Sequence, residues 1–499
     1  MFSSRCIQGF RKTKILYGKR FYNSGVFNNE VFKKEIFKIN GFEETIWKGG
    51  VQKYYKVNNA FEGIKQIGII GWGSQAKSQA KNMRDTLEYF NSDIEIKIGL
   101  RENSASTEDV LNSGFNTGNM YDVLSESDFN ILLISDKAQV DNYDKIFQNL
   151  KPGSTLGFSH GFLLGHLNNH NKEFPKDINV VMMAPKGMGP SLRKLYKVGE
   201  GINSSIDVYQ ETENSVVNPL NLALGWGISV GSPYIFKTDM KSEYISDIFG
   251  ERAILLGGLH GIVEFLFREY YKKKNFTIAY QKSCLNITNI LNPLISTHGL
   301  IGVYENILNM DREKFIINFI KSYNISKILF EEIYDEVKSG NEIRSVEING
   351  NKEMTKIDNT DLWEHDRDFK TFYNGLTNTY IEPKTAGIYI GAIIAQVDIL
   401  KENEHSYSEI VNESIIEATD SLIPYMRENG IAYMIDNCST TARLGARKWA
   451  PRLDYMYQQN INNCITTYIK NSSDIEEEFD KLFLSHPIHN AISKLYKFK

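Results

Sequence analysis

The sequence predicts an α/β half built on a doubly wound parallel sheet, followed by an all-α half. Three observations carry this expectation. Short β-branched runs alternate with helix-forming segments from Ile64 to about Thr238, the pattern of strands joined by crossover helices. The first run turns directly into a glycine motif and then a helix. Beyond Thr238 strand signals fade, and helical periodicity dominates, most strongly over 241–272, 311–339 and 386–421.

A chain of 499 residues has length for two or three domains with large cores. Its 57 Lys and Arg face 61 Asp and Glu, a net charge of −4 that gives no footprint for nucleic acid. The longest strongly apolar run, Ala386–Ala395, is too short to span a bilayer and leads into Gln396 and Asp398. It reads as a core helix, and no membrane partner is expected. Cys6, Cys284, Cys438 and Cys464 are scattered without a C-x-x-C, as in a reducing compartment and without structural zinc.

In chain order, residues 1–29 carry Arg5, Arg11, Lys12, Lys14, Lys19 and Arg20 and no acid, with Phe2, Ile7, Phe10, Ile15, Leu16 and Phe21 between them. Such a leader reads as an organelle transit peptide over residues 1–25, mitochondrial in the first instance and plastid in the second.

The nucleotide-binding half is placed at residues 45–238. Ile64–Ile70 is a buried-strand pattern followed by Gly71-Trp72-Gly73-Ser74-Gln75-Ala76 and then helix formers from Lys77 to Leu87. This is G-x-G-x-x-A in the strand–turn–helix setting that makes it informative. Gly71 allows the tight turn, Gly73 lets backbone approach a pyrophosphate, and Ala76 keeps the helix against the strand. The next strand, Ile94–Leu100, does not end on the acid that binds a ribose 2′-hydroxyl. It gives Arg101, then Ser104 and Ser106, a set suited to a 2′-phosphate and hence to NADP(H). Phe129–Ser135, Thr155–Phe158 and Ile178–Met183 read as three further buried strands. Gly157-Phe158-Ser159-His160-Gly161 matches the G-x-S-x-G of a hydrolase nucleophile elbow. The preceding dinucleotide turn and the poor nucleophile helix after Gly161 argue against that use of Ser159. His160, at a strand's carboxyl end, is a better catalytic candidate, and Lys186 follows a strand in the same way.

The helical half divides at a more polar stretch, roughly 340–384, into blocks 239–376 and 377–499. Ser242–Leu259 reads as one buried helix that stacks Asp247 over Glu251 among Ile245, Ile248, Phe249, Ile254, Leu255 and Leu256. Two buried carboxylates at this spacing require a cation. Arg252 is one candidate, and a bound oxygen-preferring ion such as Mg²⁺ or Mn²⁺ is the other. Far along the chain, Glu409, Glu413 and Glu417 share another helical face. The two sets, facing each other in a helical core, suit a pair of divalent ions. Ser439, in Asp436-Asn437-Cys438-Ser439-Thr440-Thr441, either binds a small substrate or caps a helix.

These residues together resemble the ketol-acid reductoisomerase (acetohydroxyacid isomeroreductase) family in its long, plant-type form, from about Phe42 to the C-terminus. The strings are GWGSQ (71–75), LISDKAQ (133–139), SHGFLLGHL (159–167), APKGMGPS (184–191), SDIFGER (246–252), HSYSEIVNES (405–414) and DNCSTTARLGARKWAP (436–451). The resemblance implies a Rossmann-type domain followed by a knotted, internally duplicated helical domain. It implies NADPH held by Gly71, Gly73, Ser74, Gln75, Arg101, Ser104, Ser106 and Ser135, and two Mg²⁺ held by Asp247, Glu251, Glu413 and Glu417, leaving Glu409 outside. His160, Lys186, Glu243 and Glu417 fall on catalytic positions and Ser439 on a substrate-binding one. Leu255, Leu256 and Leu422 would pack a migrating alkyl group, or simply form core. The implied reaction moves a methyl or ethyl group between adjacent carbons of 2-acetolactate or 2-aceto-2-hydroxybutyrate. NADPH then reduces the new ketone to a 2,3-dihydroxy acid of valine and isoleucine synthesis. A small-molecule substrate and a homodimer or homotetramer are expected. Two departures stand out: Ala76 replaces a common third glycine, and the loops near Gly199 and over 353–376 are shorter than in plant forms. A metal-independent NADP 2-hydroxy-acid dehydrogenase is the alternative reading, and a non-enzymatic NADP sensor a third.

Overall fold

The structure is a computed structural model that describes residues 30–215, 217–352, 360–368, 380–461 and 472–498. The basic leader and the expected boundary at 376/377 lie outside those residues. Val31–Lys499 forms one compact unit.

Ten strands make a single sheet: β1 (Glu35–Ile39), β2 (Phe42–Lys48), β3 (Gln66–Ile70), β4 (Glu95–Leu100), β5 (Asn116–Asn119), β6 (Phe129–Leu132), β7 (Thr155–Phe158), β8 (Asn179–Pro185), β9 (Ser204–Gln210) and β10 (Tyr234–Lys237). Their order is β1-β2-β10-β9-β8-β7-β6-β3-β4-β5. The five strands legible in the sequence are β3, β4, β6, β7 and β8. They run parallel and form the buried centre of the sheet, with every residue of β6 and β7 buried. Strand order reverses between β3 and β6, which opens a crevice at their carboxyl ends. The expectation of an all-parallel sheet is corrected at the other edge. There β9 runs antiparallel to β8, β10 antiparallel to β2, and β1 and β2 form a hairpin. That hairpin turns on Asn40 (φ 48°) and Gly41 (φ 87°), the two-residue Asn-Gly turn that matches strand twist. β5 is polar and lies at the far edge, so it carries no apolar signal.

The helical half corrects three expectations. The segment Ser242–Leu259 is not one helix. Met240–Arg252 ends at Ala253, and a second helix, Gly257–Tyr271, starts four residues later. A Cβ at Gly257 would lie 2.4 Å from the Arg252 carbonyl oxygen, so glycine permits the sharp re-entry. The 386–421 pattern is likewise two helices. Pro383–Glu402 stops before Glu404, which has φ 66°, and Ser406 caps the next helix by accepting from the Glu409 amide at 3.1 Å. The described parts of the polar stretch after 340 include regular elements: Asn341–Asn349 is a helix whose Ile343 and Val346 are buried, and Asp361–Arg367 is another. Arg312–Lys338 packs along Pro383–Glu402, where Gly387 and Gly391 bring its backbone within reach of Phe315 and Phe319. The apolar run is therefore buried against another helix. Among the described residues no helix is long and apolar enough to cross a membrane.

Candidate active site

A cavity of about 520 Å³ opens at the carboxyl ends of β3, β6, β7 and β8 and runs into the helical half. On the sheet side it meets Gly73, Ser74, Gln75, Ser135 and His160; on the helical side it meets Asp247, Glu251, Leu255, Leu256, Glu417, Leu422 and Ser439. The glycine turn has the properties expected of it. Gly71 has φ 108°, and a Cβ there would lie 2.8 Å from the Leu133 carbonyl oxygen. A Cβ on Gly73 would meet nothing within 4 Å, so this backbone borders open space at the N-terminus of Ser74–Tyr89. Ala76, in the first turn of that helix, is fully buried. Arg101 is exposed just after β4. Ser104 Oγ accepts from the Ser106 amide at 3.3 Å, which holds the two hydroxyls on one turn.

The deep end holds the acids. Asp247 and Glu251 lie on Met240–Arg252, and Glu413 and Glu417 on the helical stretch that runs from Tyr407 to Asn429. That stretch is π-wound over Asn412–Ile416 and Ala418–Leu422, a winding frequent where function displaces regular packing. Oxygens of Asp247, Glu413 and Glu417 converge within 4.8 Å. Gly250 permits this approach, since a Cβ there would lie 3.3 Å from the Glu413 carbonyl oxygen. Burial and the Asp247 charge push Glu251 up to about 8; burial also brings Glu413 to about 8, with Asp247 adding to it and Lys186 opposing. Burial, Glu413 and Asp247 hold Glu417 well above the carboxylate range, and Glu417 Oε2 is buried without a hydrogen-bond partner.

Two cations stand behind these acids. Lys186 Nζ lies 2.5 Å from Glu413 and 3.2 Å from Glu243, with all three side chains nearly inaccessible. Burial opposes its charge, but Glu413 and Glu243 hold the ammonium well above its ordinary value. His160 Nδ1 is 3.3 Å from both Glu243 and Asp247. Burial would neutralise the imidazole, yet Asp247 and Glu243 push it up to about 10. Glu243 is the satisfied acid. Burial would raise it, but Lys186 and His160 outweigh burial, the Gly161 amide donates to it at 2.9 Å, and it is held at about 2.

Arg252, the alternative cation, bonds Glu251 at 2.9 Å and Glu342 at 2.9 Å and makes no contact with Asp247. It answers one acid of the four. Glu409 is buried beside the cluster, where it accepts from Ser242 Oγ at 3.0 Å and Ser246 Oγ at 2.7 Å and pairs with His405. Its needs are met, so it joins the two acid-bearing helices without facing the cavity. Gln396 bridges them too: it accepts from the Ile254 amide freed by the helix break and donates to the Glu413 carbonyl. The two readings of Ser439 coexist. Its Oγ caps Thr440–Asn460 through the Ala442 amide at 3.0 Å, and the residue lines the cavity. Ser159 Oγ accepts from Gln79 at 2.9 Å and has no histidine or acid as partner among the described residues, which gives the nucleophile-elbow match no support. The sequence reading passed over Asp136 and the Glu342-bearing helix. Asp136 starts Asp136–Gln148 at the cavity wall and accepts from Thr441 Oγ1, tying sheet half to helical half.

A dinucleotide turn at a sheet crevice, opening onto a carboxylate cluster with its own buried cations, defines a nucleotide-dependent oxidoreductase whose chemistry takes place between the two halves. Residues 63–233 match the family model described as "Acetohydroxy acid isomeroreductase, NADPH-binding domain", and 240–373 match "Ketol-acid reductoisomerase, C-terminal domain". The chain is 44% identical over 475 residues to "Ketol-acid reductoisomerase, chloroplastic" of Spinacia oleracea, covering 91% of this chain and 79% of that protein. The Pisum sativum protein of the same description is 44% identical over 480 residues, covering 91% and 81%. A solved structure described as an NADH-preferring ketol-acid reductoisomerase from an uncultured archean shares the fold, with TM-score 0.52 and 22% identity over 69% of this chain and 98% of that one. The chain belongs to the ketol-acid reductoisomerase family and acts in branched-chain amino acid biosynthesis. The mitochondrial expectation is overturned. The relatives at 44% identity are chloroplastic, whereas mitochondrial relatives from Neurospora crassa and Saccharomyces cerevisiae reach 33% and 30%.

Proposed function

We propose that this enzyme converts 2-acetolactate and 2-aceto-2-hydroxybutyrate to 2,3-dihydroxy acids with NADPH and two Mg²⁺, in a plastid addressed by the basic leader. Asp247, Glu251, Glu413 and Glu417 hold the ions, and Ser74, Gln75, Ser135, Arg101, Ser104 and Ser106 hold the nucleotide. The observation that carries the metal assignment is the mismatch of charge: four acids set into the cavity end, all raised above their usual range, with one orphaned oxygen on Glu417. Oxygen-only donors fit Mg²⁺. When bound, the ions polarise the ketone and hydroxyl oxygens of the substrate, and NADPH supplies the hydride.

The chain's own residues do the rest. Leu255, Leu256 and Leu422 present an apolar wall for the migrating alkyl group and exclude water from it. Ser439, at the cavity wall, binds the substrate. His160 and Lys186, held protonated by Glu243 and their neighbours, balance the acids, and Glu417 holds or moves the substrate hydroxyl proton. The balance is one substrate, one NADPH and one proton in; one dihydroxy acid and NADP⁺ out. We further propose that the helical half is knotted and internally duplicated, that the halves divide near 238, and that the protein is a homodimer or homotetramer.

The test is NADPH oxidation with 2-acetolactate, with Mg²⁺ and with chelator. Turnover that requires Mg²⁺ supports the reading; turnover insensitive to chelator favours the metal-independent dehydrogenase instead.

A further inference from the structure

Away from the cavity, the helix after β7, Phe162–Asn169, carries His166 and ends at His170, whose amide donates to the His166 carbonyl at 3.2 Å. The two imidazoles therefore share one face, with rings 4.5 Å apart. Glu347, from Asn341–Asn349, reaches between them: its Oε1 is 2.6 Å from His166 Nδ1 and its Oε2 is 3.3 Å from His170 Nε2. The three ligand atoms converge within 4.8 Å. His166 and Glu347 are largely buried, while His170 is half exposed.

We propose that His166, His170 and Glu347 form a second metal site, for a transition ion of the Zn²⁺ class, which staples Asn341–Asn349 to the nucleotide-binding half. The donor set separates this site from the acid cluster, because two imidazoles and one carboxylate suit Zn²⁺ and not Mg²⁺. Three protein ligands leave a fourth, open position, and the exposure of His170 lets water fill it. Tetrahedral ligands about 2.0 Å from zinc stand roughly 3.3 Å apart. The separation of His170 Nε2 from Glu347 Oε2 already has that value, and His166 Nδ1 would part from Glu347 Oε1 by about 0.7 Å. A Cβ on Gly165 would fall 2.1 Å from Ile343 Cδ1, so the two helices are in direct apposition. The stapled helix reaches the active site twice. Val346 lines the cavity, and Glu342 pairs with Arg252, the partner of Glu251.

The experiment uses the full chain, stripped with chelator and then saturated with Mg²⁺ and NADPH so that the oxygen-rich cluster is occupied. Zn²⁺ retained after gel filtration is counted by mass spectrometry, and Co²⁺ is used as a visible-absorption probe. Wild type should retain one Zn²⁺ per chain more than His170→Ala or Glu347→Gln and should give tetrahedral Co²⁺ bands that both variants lose. His170→Ala changes a half-exposed side chain. Its melting point in chelator and its Mg²⁺-dependent turnover without zinc should therefore equal those of wild type, while micromolar Zn²⁺ should raise only the wild-type melting point. Equal zinc content in wild type and both variants overturns the proposal, as does zinc that excess Mg²⁺ displaces completely.

Discussion

Glu251→Gln should stabilise the metal-free protein and silence the enzyme, two effects of opposite sign from one atom exchange. Glu251 is pushed up to about 8 from an unfolded value of 4.5. At pH 7 the unfolded chain would ionise this carboxyl, but the metal-free fold resists. A difference of 2.5 units up to pH 7, at about 1.4 kcal/mol per unit, costs the fold about 3.5 kcal/mol. The side chain keeps 20% of its surface open toward the cavity, and screening there trims the cost to about 2 kcal/mol. Glutamine removes this cost and keeps the carbonyl that accepts from Arg252. Unfolding entropy of about 2.1 cal/mol/K per residue gives about 1 kcal/mol per degree for a chain this long, so the gain is about 2 °C. Its pH dependence has a definite sign. A raised carboxyl stabilises the fold below pH 4.5 and loses that contribution as pH rises through 8. The variant's advantage should therefore vanish near pH 4.5 and be largest above pH 8. Calorimetry in chelator reads the stability. NADPH oxidation with 2-acetolactate at saturating Mg²⁺ reads the activity, which should fall by about 10²–10³-fold or more, as for loss of one preorganised charge. A variant that melts lower than wild type in chelator, or that keeps normal turnover, refutes the reasoning.

Three other outcomes follow from the geometry. Arg101→Ala should raise KM for NADPH by about 10–100-fold, the worth of a charge-assisted phosphate contact, while leaving KM for NADH unchanged; steady-state kinetics with both cofactors measures this. Gly189→Ala places a Cβ 2.2 Å from the Ser74 carbonyl oxygen, a backbone atom with nowhere to move, and should cost about 1–3 kcal/mol together with NADPH affinity, read by melting and fluorescence titration. Glu409→Ala removes the carboxylate that ties Ser242 and Ser246, on the helix of Asp247 and Glu251, to the helix of Glu413 and Glu417, and leaves the two hydroxyls only His405 and the Glu243 carbonyl. Calorimetry should show weaker Mg²⁺ binding even though Glu409 faces no metal, and the more conservative Glu409→Gln should restore part of it.

The parts of this molecule that the sequence makes legible are those where local periodicity and burial agree. The buried strands β3, β6, β7 and β8 carry largely apolar runs, β4 alternates Ile96 and Ile98 with Glu95 and Lys97, and the turn at Gly71 and Gly73 needs glycine for reasons visible in three residues. The edge strands are different. β5 is held by backbone pairing to β4 and has no side-chain signature, and the Asn40-Gly41 turn lay outside the region read for strands. The broken helices were illegible for a physical reason. Ala253 and Leu256 are good helix formers, and only the Gln396 side chain, from another helix, compensates the Ile254 amide that the break exposes. Periodicity also placed Glu409 with Glu413 and Glu417. What separates them is Ser242, Ser246 and His405, partners more than 160 residues away for the hydroxyls and four residues away for the imidazole.

Electrostatics sorts the same acids by a route independent of any resemblance. Six carboxylates meet at this junction: Glu243, Asp247, Glu251, Glu409, Glu413 and Glu417. All are deeply set, so burial pushes each of them upward. Glu243 and Glu409 nonetheless sit below their ordinary value, because Lys186 and His160 serve the first and His405 and Ser246 the second. The remaining four stay above it, even with Lys186 at 2.5 Å from Glu413 and Arg252 at 2.9 Å from Glu251. A fold that needed only internal neutrality would have paired these four as completely as it paired the other two, or replaced them with apolar residues of similar size. Three of the four, Asp247, Glu251 and Glu417, border the cavity, and Glu413 lies behind them with its oxygens converging on Asp247 and Glu417. Incomplete neutralisation is thus the feature that supports the proposed ion site at Asp247, Glu251, Glu413 and Glu417, and complete neutralisation is what sets Glu243 and Glu409 apart from it.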